Sequence, residues 1–388
     1  MDSYLIFFII ITSIFVVPEI LKKFNIPGIT ATMIAGIIAG PYCLGLIHTD
    51  NIIETFASFG AVFLMFLAGM EVDNETLKSE FKNSVIISLF SLVIPAIGGY
   101  LIGMWFGLNF IGALLYAIIF SSHSVGIVYA LIDELKLTKS KFGTTALSST
   151  ILVDLSSLII LSIVIKLSMA GQNLNIGYFI ALDILYIVGL LLTIPLISKI
   201  IFQKFEKLHI KKIHFILFII LVSILTGEHI GLHPIIGAFI TGIAVSESLT
   251  KKEHDELLNK NLNAIGYGVF IPIFFFALGM DTNIRVLFNL NNVELILATI
   301  SGAIILKILS GYMSFKLVGY DHIKSICGGL LTMPKISASL VAASVGKELG
   351  IISNEFFVAI VVLSLITSMI SPILVKNLII KYKDLFAV

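Results

Sequence analysis

The chain has 388 residues, of which 58% are hydrophobic and only 13% charged, with a net charge of +1 and a mean hydropathy of +1.07. A soluble domain carries roughly 25% charged residues, so a water-exposed fold is excluded. The near-neutral balance leaves no basic surface for nucleic acid and no acidic tail. In chain order, segments of about 20 mostly apolar residues, the length needed to cross a bilayer, fall at 3–21, 28–46, 52–71, 83–106, 109–131, 144–169, 176–200, 212–228, 233–248, 262–280, 292–317, 322–346 and 354–380. These thirteen spans predict an all-α polytopic membrane protein with short loops and no appended soluble domain. The first run follows an acidic Met1-Asp2-Ser3 and precedes Lys22 and Lys23. No small-residue cleavage site stands out, so it is expected to remain as a membrane helix. Cys43 and Cys327 lie in apolar segments with no zinc or disulfide spacing and are expected to be buried core residues.

The lysines orient these spans. With the N-terminus outside, the inner loops, the C-terminal tail and the adjoining helix ends hold 19 of 25 basic residues: Lys22, Lys23, Lys78, Lys82, Lys136, Lys139, Lys141, Lys204, Lys207, Lys211, Lys212, Lys251, Lys252, Lys260, Lys316, Lys324, Lys376, Lys381 and Lys383. The outer loops hold only Arg285 and Lys347. The positive-inside rule then places the C-terminus in the cytoplasm.

The chain also repeats itself. Phe63–Asp73 (FLMFLAGMEVD) resembles Ile273–Asn283 (IFFFALGMDTN) at an offset of 210, and Ile34–Ala39 resembles Ile240–Val245 at an offset of 206. Glu134-Leu135 matches Glu348-Leu349 at an offset of 214. Paired spans differ by seven, an odd number, so the copies, approximately 28–169 and 233–380, insert in opposite directions. Inverted repeats of this kind mark secondary transporters.

Charges within spans are costly, roughly 2.5–3.5 kcal/mol or more at the bilayer centre, and are rarely idle. Asp154 in the sixth span and Lys307 in the eleventh each lie about 15 Å from the cytoplasmic side, from a rise of about 1.5 Å per residue. Opposite charges at one depth are expected to meet. Low dielectric disfavours a charged carboxylate and a nearby cation favours it, so Asp154 is suited to hold either a proton or a metal cation. The polar run Ser121-Ser122-His123-Ser124-Val125-Gly126 in the fifth span faces its counterpart Thr332-Met333-Pro334-Lys335-Ile336-Ser337 in the twelfth. Pro334 removes a backbone donor. Both stretches predict discontinuous helices whose ends line a cavity. Ser122, His123 and Ser124 are candidate ion or proton ligands, with a hydrogen-bonded structural histidine as the alternative for His123. Lys335 is expected to screen the opposed helix ends. Glu71 and Asp281 are expected at the membrane interface, Asp183 is shallow, and Lys166 is expected to snorkel outward. There is no nucleophile–base set and no metal-cluster motif, so an enzyme is not indicated.

With Ile34–Pro41 (IAGIIAGP), Phe66–Glu71 (FLAGME), Pro272–Met280 (PIFFFALGM) and the Asp154 and Lys307 helices in this order, the chain resembles the sodium/proton exchanger superfamily. It is most similar to the branch of NapA-type antiporters and Kef potassium-efflux transporters. The resemblance implies a NhaA/NapA-like fold with two crossing discontinuous helices, a mobile core that includes 109–131, 144–169, 322–346 and 354–380, elevator-like alternating access, and a homodimer. It also implies Na+ and H+ as the transported ions, with K+ or Li+ open, and no cofactor. Asp154 matches the family's ion-binding aspartate, Lys307 the basic residue of the facing helix, and Met333-Pro334-Lys335 the family's Pro-Arg-Gly-Glu region. Val153 stands where electrogenic members place a second Asp, His123 where the family has Thr, and Lys335 and Ser337 where it has Arg and Glu. One carboxylate implies exchange nearer one proton per cation and electroneutral. The alternatives are a K+/H+ antiporter or Kef-like gated K+ efflux, and an ion-coupled organic solute symporter. Only Lys381–Val388 follows the last span and no G-x-G-x-x-G appears, which argues against a Kef-type nucleotide-binding domain in this chain.

Overall fold

The computed structural model describes residues 3–24, 26–48, 50–71, 80–138, 140–169, 176–204, 209–249 and 253–386. Met1, Asp2, Asp73, Lys78, Lys139, Lys207, Lys251, Lys252 and Val388 lie outside the described residues. All regular structure among the described residues is helical. The helices are α1 (Ser3–Leu21), α2 (Gly28–Ala39), α3 (Asn51–Met70), α4 (Phe81–Trp105), α5 (Phe110–Ser121), α6 (Val125–Glu134), α7 (Lys141–Met169), α8 (Ile176–Lys204) and α9 (His209–His229). They continue as α10 (Pro234–Ser248), α11 (Glu253–Ile265), α12 (Ile271–Met280), α13 (Leu290–Leu317), α14 (His322–Leu331), α15 (Ser337–Glu348), α16 (Asn354–Lys381) and α17 (Lys383–Phe386).

Among the described residues, ten helical stretches are long and apolar enough to cross a membrane by length and composition. The difference from the thirteen expected spans falls on the short helices α2 and α10 and on the stretch broken between α14 and α15. The tenth predicted span also differs. Its helix begins earlier, at Glu253, and passes through a π-turn at Gly266–Phe270 before α12.

The chain divides into two compact units. The first comprises Met1–Asp50, Glu75–Leu161 and Phe275–Val388, and the second comprises Asn51–Asn74 and Ser162–Phe274. Within the first, α5 packs against α4 and α15, and α13 packs against α4, α14 and α16. Within the second, α10 is central and packs against α3, α8 and α9.

Glycine sets the closest backbone approaches in both units. In the first, a Cβ at Gly36 would fall on the carbonyl of Phe276, and one at Gly279 on the carbonyl of Met33. In the second, a Cβ at Gly242 would fall on the carbonyl of Phe66, and one at Gly69 on the carbonyl of Phe239. The residues of these two seams correspond at the offsets of 206 and 210 read from the sequence.

Two expectations are corrected in this architecture. Cys327 is buried, but Cys43 is exposed, because it sits in the turn after α2 rather than on a packed helix face. Lys166 does not snorkel. It is buried within the second unit and ion-paired with Asp183 of α8, whose other carboxylate oxygen accepts a 3.0 Å hydrogen bond from Ser162. The shallow Asp183 is therefore a fully engaged internal group.

Candidate ion-binding site

The expected helix breaks are present, and each has a local cause. Helix α5 is opened by Asn109, whose side chain accepts from the amide of Gly112 at 2.8 Å, and it ends at Ser121. Residues Ser122, His123 and Ser124 run extended before α6 begins. Helix α14 is opened by Asp321, which accepts from the amide of Lys324 at 2.8 Å. It ends at Leu331, and Thr332–Ile336, with Pro334 at its centre, separates it from α15. Each break exposes a helix C-terminus rich in free carbonyls and a following N-terminus rich in free amides.

Buried side chains answer both kinds of end at the first break. The Lys335 ammonium donates to the carbonyls of Ile119, Phe120 and Ser122 at 2.9, 2.6 and 2.9 Å. It therefore uses all three protons on the C-terminal turn of α5, where the helix dipole is negative. Lys307 of α13 donates to the carbonyl of Ser91 on α4 at 3.0 Å and to that of Ser121. Both lysines are fully buried. On the opposite side of the break, Asp154, at the middle of α7 and only 2% exposed, accepts from the main-chain amide of His123 at 3.1 Å. The amide of Val125 also faces the carboxylate. An anion before the N-terminus of α6 meets the positive end of that helix.

The expected Asp154–Lys307 contact is not formed. Among the described residues no ion pair joins them, because the Lys307 ammonium is engaged by carbonyls of α4 and α5 instead. Lys307 and Lys335 lie near enough for their charges to act on Asp154 without touching it. The carboxylate thus keeps accepting capacity beside two buried lysines that are bonded elsewhere.

The remaining predicted residues divide clearly. The Ser122 hydroxyl donates to the carbonyl of Ile119 at 3.1 Å and shares a 2.6 Å hydrogen bond with Ser339 of α15, which ties the two breaks together. Ser124 is buried at the start of α6, and its side chain makes no capping bond. His123 is fully buried, and neither ring nitrogen has a hydrogen-bond partner. The alternative of a histidine tied to a neighbouring helix is therefore not realised. Thr332 donates to the carbonyls of Lys307 and Gly329 at 3.2 and 2.8 Å, fixing the second break to α13. Ser91 and Ser339 were not anticipated. Both are ordinary serines within apolar helices, and only the opposed helix reveals their use.

Comparison with known proteins identifies the family and the fold. Residues 8–381 match the family described as sodium/hydrogen exchanger, transmembrane. The chain is 62% identical to the probable Na(+)/H(+) antiporter 3 of Methanocaldococcus jannaschii, over 97% of each protein. It is 27% identical to a Na(+)/H(+) antiporter of Enterococcus hirae, over 92% of this chain and 93% of that one. It is 26% identical to the Na(+)/H(+)-K(+) antiporter GerN of Bacillus cereus, over 90% and 89%. Among solved structures, the sodium proton antiporter MjNhaP1 from Methanocaldococcus jannaschii superposes with a TM-score of 0.75 over 99% of this chain and 97% of that one, at 16% identity, and so shares the fold. This multi-pass membrane protein belongs to the sodium/hydrogen exchanger family.

Proposed function

We propose that the chain exchanges Na+ for H+ across a cell membrane, with cation and proton competing for the Asp154 carboxylate. The observation that carries this reading is the setting of Asp154. It is a buried mid-helix acid held by backbone amides rather than by a counter-ion, so it is available to a proton or a metal ion in turn. Lys307 and Lys335 compensate the C-terminal end of α5, and Ser122, His123 and Ser124 form the backbone break beside the carboxylate. With Val153 in place of a second acid, exchange is one proton per cation and electroneutral. The relatives' names support Na+ first. GerN, named for K+ as well, keeps K+ as the second reading. The two glycine seams support inverted repeats, and the lysine distribution supports an outer N-terminus and a cytoplasmic C-terminus. The family resemblance supports an elevator-like movement and a homodimer.

The test is dequenching of a pH-sensitive dye in proteoliposomes when Na+, Li+ or K+ is added. Wild type should respond to Na+, and Asp154→Asn should not respond to any cation. Normal exchange by Asp154→Asn would falsify the central role of this residue. An exchange current that follows the membrane potential removes the electroneutral reading.

A further inference from the structure

Helix α4 contains an internal proline, Pro95, on its buried face. Proline has no amide hydrogen, so inside a helix it leaves the carbonyl four residues earlier without its donor, and its ring crowds that carbonyl. In α4 the carbonyl concerned is that of Ser91. Buried carbonyls are rarely left unpaired, and this one is taken from outside the helix: the Lys307 ammonium of α13 donates to it at 3.0 Å. The neighbouring carbonyl of Leu92 accepts from the Ser121 hydroxyl, at the end of α5, at 2.8 Å. One turn after Pro95, a Cβ at Gly99 would lie 2.9 Å from the carbonyl of Tyr116. The backbones of α4 and α5 therefore run close together beside the proline.

The consequence falls on the ion site. Lys307 is fully buried, and its ammonium depends on acceptors that the protein supplies. The Ser91 carbonyl is one, and the Ser121 carbonyl is another. Asp154 is close enough to feel the charge of Lys307, yet the two are not joined. An amide at position 95 would bond the Ser91 carbonyl within α4 and draw it along the helix axis. The ammonium would then lose that acceptor. A carboxylate accepts more strongly than a carbonyl, so the Asp154 side chain would be the group to gain the lysine. A carboxylate paired in this way must release the ammonium before it can take a metal cation.

We infer that Pro95 is a positioning residue for exchange: by withholding an amide from the Ser91 carbonyl, it holds Lys307 off Asp154 and keeps the carboxylate open to the transported ions. The inference rests on the reading of Asp154 as the ion carrier. Pro95 acts through Lys307, and so it sets the apparent affinity for the cation, whereas Asp154 is required for exchange at all.

The experiment measures half-saturating Na+ concentrations and maximal rates in proteoliposomes at one pH. The proteins are wild type, Pro95→Ala, Pro95→Val, Asp154→Asn, and one that carries the α-hydroxy acid analogue of alanine at position 95. The analogue forms an ester, which lacks the proline ring but, like proline, has no amide hydrogen. Pro95→Ala restores the amide and raises the Na+ value about tenfold, the scale of one hydrogen bond to a charged group, with the maximal rate within about threefold. The ester protein stays within about twofold of wild type, because the missing hydrogen matters and the ring does not. Pro95→Val, close to proline in volume and also bearing an amide, takes the place of Pro95→Ala if that variant fails to insert. A Na+ value within about twofold of wild type in the amide-bearing variant overturns the inference. An ester protein that shifts as far as the amide-bearing variant also overturns it, since loss of the ring would then be the cause. In either case, loss of exchange in Asp154→Asn leaves the antiporter reading standing, whereas normal exchange in Asp154→Asn removes both.

Discussion

The Lys166–Asp183 pair offers a sharp energetic test, because both side chains are almost completely withdrawn from solvent, at 7% and 5% exposure. Replacing Asp183 by Leu leaves a buried ammonium without its counter-charge, and replacing Lys166 by Met leaves a buried carboxylate. Each single change is expected to cost about 3–5 kcal/mol. Replacing both removes two desolvated charges together and puts apolar groups of similar size in their place, a change that is often neutral or stabilising. Ser162 then loses its acceptor but lies in α7, where it can donate to the preceding turn. The double variant is therefore expected within about 1 kcal/mol of wild type, giving a coupling of at least roughly 5 kcal/mol between the two sites. The assay is reversible unfolding in mixed micelles titrated with sodium dodecyl sulfate, followed by far-ultraviolet circular dichroism. Two results would refute the reasoning: single variants that each cost less than about 1 kcal/mol, or a double variant whose cost is the sum of the singles.

Two further predictions concern transport and packing. If a single carboxylate holds either one proton or one cation, the half-saturating Na+ concentration rises at most about tenfold for each unit fall in pH, the linkage limit for one proton. Initial rates at several pH values measure this slope, and a steeper one shows that a second group titrates with cation binding. At the glycine seams, Gly242→Ala drives a methyl group onto the carbonyl of Phe66, a backbone atom that cannot rotate aside. Gly36→Ala does the same to the carbonyl of Phe276. Each is expected to cost about 1–3 kcal/mol from overpacking, read as a lowered midpoint of thermal unfolding in detergent, and an unaltered midpoint would count against the seams as close-packed.

Much of the site was legible in the sequence because membrane burial makes polar residues conspicuous. Asp154, Lys307 and Lys335 stood out as charges within apolar runs, and Pro334 and Ser122-His123-Ser124 announced the breaks. The Asp154–Lys307 contact was misread because depth along a helix gives height but not azimuth. Two residues at one level need not face each other, and carbonyls freed at the end of α5 were nearer partners for the lysine. Lys166 was misread for a related reason. Closeness to a helix end suggests access to water, but lateral packing decides burial, and α8 brings Asp183 against it.

The glycine seams also bear on ancestry. Each joins one helix from the first half of the chain to one from the second: α2 with α12, and α3 with α10. On the inverted-repeat reading, neither half holds its own partner for these faces. A half-length ancestor would have met them on a second copy lying the other way up in the bilayer. Contacts that began between two molecules of dual orientation would then have become, after gene fusion, the internal packing of one.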